Sequence, residues 1–91
     1  MTHAIILIQA ERTALPDLGG QLADVRGVAE AYSITGEWDF AAILRLREQD
    51  DLAHVITEQL AQLPGIVKTQ TLLAFEVYSR HDLDSLFSLG E

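Results

Sequence analysis

Two halves of this sequence carry the same landmarks at one constant displacement. Leu22-Ala23, Gly27-Val28 and Ser33 recur as Leu60-Ala61, Gly65-Ile66 and Thr71. In both halves an apolar stripe at helical spacing runs into a glycine, and a β-rich run follows it. A chain of two strand-helix-strand units has few ways to close. Each crossover must be right-handed, and the two units must share one sheet.

Taken in order, residues 3–10 are rich in β-branched side chains and suit a strand buried on both faces. Thr13 is positioned to cap a helix whose Leu15, Leu18, Leu22 and Val25 share a face, with Pro16 tolerated in the first turn. Gly19 and Gly20 weaken that helix and leave room for close approach by another part of the chain. Residues 28–35 and 40–47 read as two strands joined by the turn Thr35-Gly36-Glu37-Trp38-Asp39, so they are expected to pair antiparallel. On the second of them Ala42, Leu44 and Leu46 point one way and Ile43, Arg45 and Arg47 the other. Asp50 or Asp51 is expected to cap a second helix carrying Leu52, Val55, Ile56, Leu60 and Leu63, which Pro64-Gly65 stops. Residues 66–77 give the longest strand expected in the chain, and Asp82 to Leu89 give a short terminal helix through Leu83, Leu86 and Phe87.

The order is β-α-β-β-α-β plus a tail. It predicts an α+β, ferredoxin-like sandwich with a four-stranded antiparallel sheet, two helices on one face and a short C-terminal helix. Residues 1–79 form the expected domain and 80–91 a helical extension. The sheet face opposite the helices would carry Ile43 and Ile5 beside Arg45 and Arg47, so a second copy is expected to cover it. A core of this size, in a chain of 91 residues, also favours association.

Six basic against fourteen acidic residues leave a formal charge of −8. Arg12, Arg26, Arg45, Arg47, Lys68 and Arg80 are scattered along the sequence, which argues against direct contact with nucleic acid or an anionic membrane. The chain has no cysteine, so disulfides and thiolate chemistry are excluded. The apolar run at 4–8 is too short to span a bilayer and lacks a basic flank, and the reading is a cytoplasmic protein.

No Walker loop, G-x-G-x-x-G, G-x-S-x-G or H-E-x-x-H pattern is present. His3, His54 and His81 lie on different elements, so no metal is expected, and no cofactor. The chemistry worth weighing sits in the central turn. Glu37 and Asp39 are two carboxylates within one turn, suited to general acid and base work, to recognition of a ligand's ammonium group, or simply to bracing the hairpin. Trp38, the one tryptophan, fits a pocket wall and an intersubunit contact equally well. Thr69 and Thr71 share one face of the last strand and offer hydroxyls, although β-propensity alone also places threonine there.

Residues 60–67, Leu-Ala-x-Leu-Pro-Gly-Ile-Val, together with Thr-Gly-Glu-Trp-Asp at 35–39 and Thr69-x-Thr71, resemble the effector-binding domain of the Lrp/AsnC family. This unit is also called the RAM domain, for regulation of amino acid metabolism. The resemblance covers residues 3 to about 77, and the glycine-x-x-aspartate turn is its most specific part. It implies sheet-mediated dimers, assembly into larger homo-oligomers, and an amino acid or related small effector bound in clefts between dimers. Carried over by position, Gly36, Glu37, Trp38 and Asp39 would line the cleft, with Thr69 and Thr71 on the adjoining strand. Trp38 stands where relatives commonly have a smaller residue, which bears on pocket volume.

Full-length family members carry an N-terminal helix-turn-helix, whereas this sequence opens at its first strand. The expectation is a stand-alone form without direct DNA contact, pairing with full-length relatives as a partner, and not an enzyme. Two alternatives stay open. Small ferredoxin-like monooxygenases share the architecture, but the inward positions Ala4, Ile6, Ile8, Ala42, Leu44 and Leu46 look filled by core side chains. A purely structural oligomerisation module is the other.

Overall fold

A computed structural model describes residues 1–78 and Arg80. The expected terminal helix, and with it the assignment of residues 80–91 as an extension, lies outside the described residues. Four strands form one antiparallel sheet: β1 (Thr2–Ala10), β2 (Val28–Ser33), β3 (Phe40–Leu46) and β4 (Ile66–Leu73). Their spatial order is β2-β3-β1-β4, the order that two interlocked strand-helix-strand units require. Helix α1 (Leu15–Ala23) and the helical segment opening with α2 (Gln49–His54) provide the helices of the sandwich.

The core lies between sheet and helices. Ala4, Ile6 and Ile8 of β1 and Ala42, Leu44 and Leu46 of β3 meet Leu18 and Leu22 of α1 and Leu52, Val55 and Leu60 of the second helical segment. Side chains as enclosed as Ile6, Ile8, Leu18, Leu22 and Leu44 each contribute about 1.5–3 kcal/mol through removal from water. The repeat seen in the sequence is a repeat of structure. Leu22 and Leu60 are both core residues, and Gly27 and Gly65 both take a positive φ, of 97° and 89°, just before β2 and β4.

Several expectations need correction. Strand β1 is not buried on both faces in the protomer: Ala4, Ile6 and Ile8 are buried, while Ile5 and Leu7 are only half-buried on the far side. Thr13 caps no helix. It sits inside a 3₁₀ turn (Arg12–Ala14) that runs into α1, and Ala14 occupies the α1 cap position. Of the two suspect glycines, Gly19 faces the Phe40 ring, whose Cε1 would lie 3.3 Å from an added Cβ, whereas Gly20 has open space.

The second helix is capped two or three residues earlier than expected and does not stay α-helical. Glu48 is its N-cap, and the Asp51 side chain accepts the Glu48 N–H at 3.3 Å. After His54 the chain widens into a π-turn (Val55–Gln59) and tightens into a 3₁₀ turn (Leu60–Gln62). Val55, Ile56 and Thr57 are three consecutive β-branched residues, poor helix formers, and the Thr57 hydroxyl donates to the Ala53 carbonyl at 2.7 Å. A break at that point keeps both Val55 and Leu60 in the core, as the Leu60 N–H reaches back to the Val55 carbonyl.

Strand β4 ends at Leu73, so β1, with 9 residues against 8, is the longest strand. Past the strand's end Ala74 still donates its N–H to the His3 carbonyl at 2.9 Å. Strand β4 lies at the edge and most of it is exposed. The face away from the helices carries half-buried Ile5, Leu7 and Ile43, with Leu72 at 42% and Tyr32 at 48% exposure beside them. On that face the Tyr32 hydroxyl donates to the Glu30 carboxylate, which together with the nearby negative charge raises the Tyr32 pKa above the ordinary phenol value.

Candidate functional site

The connection between β2 and β3 is built from its glycine outward. Gly36 has φ of 104°, a left-handed conformation that L-residues with a side chain adopt at a cost. The Ile34 N–H donates to the Asp39 carbonyl at 3.0 Å and closes the loop. Gly36→Ala has space for its methyl group, with no atom within 4 Å of the added carbon. It is therefore expected to cost only the backbone strain, about 1–2 kcal/mol in urea unfolding.

Asp39 ties this loop to the end of β1. Its N–H donates to the Ile8 carbonyl at 2.9 Å, and its carboxylate Oδ2 accepts the Ala10 N–H at 2.8 Å in a half-buried position. A carboxylate on a backbone N–H is among the stronger hydrogen bonds a protein makes. The bracing role weighed for Asp39 is thus present, and among the described residues it uses one carboxylate oxygen. Gln9 adds a second tether, its Nε2 donating to the Glu37 carbonyl at 3.0 Å. Glu37 and Gly36 are exposed, and Trp38 and Asp39 half-buried.

Lys68 completes the cluster. It lies opposite Gln9 on β4, and its Nζ sits 5.5 Å from the centroid of the Trp38 ring. That distance is within cation–π range, worth about 0.5–1 kcal/mol at an exposed site. Trp38 therefore has a cation beside its ring. Neither Gln9 nor Lys68 stands out in the sequence; the two-residue strand period places Lys68 on the opposite face from Thr69, and that alternation is the one signal available.

Thr69 and Thr71 do not join the loop within one protomer. They pair with Ile8 and Ile6, whose side chains enter the core, so both threonines lie on the helix side of the edge strand. Thr69 lines a cleft of about 230 Å³ with Ile56, Leu60, Leu63 and Ile66. In one protomer the threonines thus lie on the helix side of β4, and the Asp39 turn lies at the end of β1.

A second cleft, of about 470 Å³, lies at the far end of the sheet, between the turn before β2, the end of β3 and α2. Arg26, Arg45 and Arg47 all line it, with Asp51, His54 and Gln59. The basic residues scattered along the sequence are therefore partly gathered in space, because antiparallel pairing brings the start of β2 beside the end of β3. The Arg45 N–H donates to the Gly27 carbonyl at 3.0 Å and fixes that juncture.

Among the described residues no group of three or more His, Cys, Asp or Glu side chains is placed to hold a metal ion, and no helix is long and apolar enough to cross a membrane. The positions that would line an interior substrate cavity, Ala4, Ile6, Ile8, Ala42, Leu44 and Leu46, are packed, with exposures of 0–7%.

The model of the Lrp/AsnC ligand binding domain matches residues 3–83, and the chain belongs to that family. A protein of solved structure from Thermus thermophilus is 39% identical with a TM-score of 0.81, over 88% of this chain and 100% of that one. A curated relative from Pyrococcus abyssi, an uncharacterized HTH-type transcriptional regulator, is 29% identical over 82 residues, which is 82% of this chain and 52% of the relative. The chain thus spans about half the length of the curated relatives it matches. A Neisseria meningitidis transcriptional regulator solved as a complex with L-Met shares the fold, with a TM-score of 0.77 at 16% identity over 87% of this chain and 53% of that one.

Proposed function

We propose that this domain binds an amino acid or related small metabolite between subunits and couples its occupancy to oligomer assembly, and through assembly to a regulatory partner. The observation that carries this reading is the Asp39 tether. It holds a turn with a free carboxylate oxygen and the exposed Glu37 at the rim of the sheet, where an ammonium group can be met. The loop alone is a rim, and a cleft needs a second wall. Another copy supplies it by presenting the edge of its β4, with Thr69 and Thr71, to Gly36, Glu37, Trp38 and Asp39 of the first.

Homodimers form through the open sheet face, where Ile5, Leu7, Ile43, Leu72 and Tyr32 gather, and dimers join into a larger ring or cluster. A ligand that binds only the assembled form stabilises it by an amount that grows with its concentration over its dissociation constant. Full-length, DNA-binding members of the family are the natural partners, met in the cytoplasm through mixed oligomers, and the domain itself performs no reaction. The close packing of Ala4, Ile6, Ile8, Ala42, Leu44 and Leu46 supports that last point.

Light scattering with a thermal-shift screen against the twenty amino acids tests the reading. The expected result is a discrete oligomer whose melting temperature rises with one or a few amino acids, a rise that Asp39→Ala removes. Asp39→Ala also loses the bond to Ala10, so its ligand-free stability falls by about 1.5–3 kcal/mol. Glu37→Gln, which leaves that bond in place, separates loss of binding from loss of the loop. An oligomer blind to all twenty moves the function to assembly alone, and a monomer at micromolar concentration removes the premise.

A further inference from the structure

We propose that Lys68 is a positioning residue of the central turn, and that through its hold on the Trp38 ring it sets how much room the turn leaves for a ligand's side chain. The selection rests on the reading of Gly36, Glu37, Trp38 and Asp39 as ligand-lining; the positioning does not. Three hydrogen bonds fix the backbone on either side of Trp38. They run from the Asp39 N–H to the Ile8 carbonyl, from the Ala10 N–H to the Asp39 carboxylate, and from Gln9 Nε2 to the Glu37 carbonyl. All three join the turn to β1, and none involves the indole. They leave its two side-chain torsions free, and a half-buried ring with nothing to direct it turns among rotamers. Lys68 supplies the direction, with its Nζ 5.5 Å from the ring centroid.

The sheet is built to bring that cation to the turn. Gln9 pairs with Lys68, and residues directly opposite on antiparallel strands share a face. Ile8 enters the core, so Gln9 and Lys68 lie on the face away from the helices, where Gln9 reaches Glu37. The next pair is Ala10 with Ile66, which leaves Val67 as the extra residue of a β-bulge. A bulge bends its strand and re-aims the side chains beside it. This one adjoins both anchors of the turn, since Ala10 gives its N–H to Asp39 and Lys68 directly follows Val67. Lys68 is exposed and no part of the core, so its identity is free to serve the turn. Trp38 stands between Glu37 and Asp39 and has the largest side chain of the turn, so its orientation decides the space beside both carboxylates.

Trp38 is the one tryptophan of the chain, so tryptophan fluorescence of the intact protein reports on that ring alone. Acrylamide, a neutral quencher, approaches the ring without regard to the charge being altered. Lys68→Gln is expected to raise its quenching constant about twofold, as a released half-buried ring samples exposed rotamers. Lys68→Arg, which keeps a cation that stacks on aromatic faces, should match the unaltered protein. Both variants should fold, with melting temperatures lowered by no more than about 8 °C. The thermal screen against the twenty amino acids, repeated on both, tests the selection. Lys68→Gln is expected to respond to larger side chains than the unaltered protein does, and Lys68→Arg to the same ones. Quenching unchanged in Lys68→Gln, or raised as much in Lys68→Arg, overturns the inference. Raised quenching with an unchanged set of responding amino acids overturns the selection alone. If none of the proteins responds to any amino acid, the effector reading fails and the selection with it, while the quenching still decides the positioning.

Discussion

Gly65→Ala is expected to be the most damaging single-methyl addition in this protein, lowering stability by about 2–5 kcal/mol in denaturant unfolding. Two costs combine. The residue has φ of 89°, which an alanine adopts at about 1–2 kcal/mol, and its added carbon would stand 2.2 Å from the Ala14 Cβ. Ala14 has no side-chain torsion with which to retreat, so the 3₁₀ turn carrying it must shift, along with the 2.8 Å bond from the Glu11 N–H to the Gly65 carbonyl. Overpacking of that kind costs about 1–3 kcal/mol. Gly27→Ala, at the equivalent position of the repeat, meets the Leu46 Cδ2 at 2.4 Å, the end of a side chain that can rotate. Its loss should be smaller than that of Gly65→Ala and larger than that of Gly36→Ala. Equal stabilities for the three variants would contradict this ranking, and a domain of this size has only about 5–15 kcal/mol in total to lose.

Leu7→Glu is expected to separate the oligomer into monomers while leaving the protomer folded. Leu7 lies on the central strand, between Ala41 of β3 and Gln70 of β4, on the face that the proposed dimer covers. In a lone protomer it is half-buried and a glutamate there reaches water, so unfolding of the monomer should change by about 1 kcal/mol or less. In a covered interface the same carboxylate is buried without a counter-charge. Association should weaken by about a hundredfold, or about 2.7 kcal/mol, seen as a loss of mass in sedimentation or light scattering. An unchanged mass would show that the covering surface lies elsewhere.

Local and periodic features of the fold were legible in the sequence. The alternation in residues 40–47 put Ala42, Leu44 and Leu46 inward and Ile43 and Arg45 outward, and the structure places them so. The repeat located Gly27 and Gly65 as equivalent, and both have the left-handed backbone that only glycine takes without strain. The π-turn was not legible, because the apolar spacing of Val55, Ile56 and Leu60 suits a plain helix as well as a widened one. The caps also escaped, since Glu48 and Ala14 are poor capping residues.

The candidate site divides along the same line. The tether between Asp39 and Ala10 joins residues on different elements, so the sequence could propose bracing as one of several roles but not fix the partner. Thr69 and Thr71 were offered by the resemblance for a cleft between dimers, and their place on the helix side of β4 follows from its pairing with β1. The cleft at the far end of the sheet was hidden for a topological reason: the turn before β2 and the end of β3 come together only through strand pairing, as in the bond from the Arg45 N–H to the Gly27 carbonyl, and a list of positions contains no such pairing.

The place of β1 has a consequence for how the chain comes to be folded. Of the four described strands it is the first made, and it pairs with β3 and with β4, the last of them, through contacts as remote as Ala4 with Leu73. Such distant pairing raises contact order and slows folding, since a long loop must close before the sheet gains from it. At a synthesis rate of about 5–20 residues per second, β1 waits several seconds for its second neighbour. During that interval its run of Ile5, Ile6, Leu7 and Ile8 has a free edge. The strand that later unites the sheet is, while the ribosome is still at work, the part of the nascent chain most exposed to pairing with the wrong molecule.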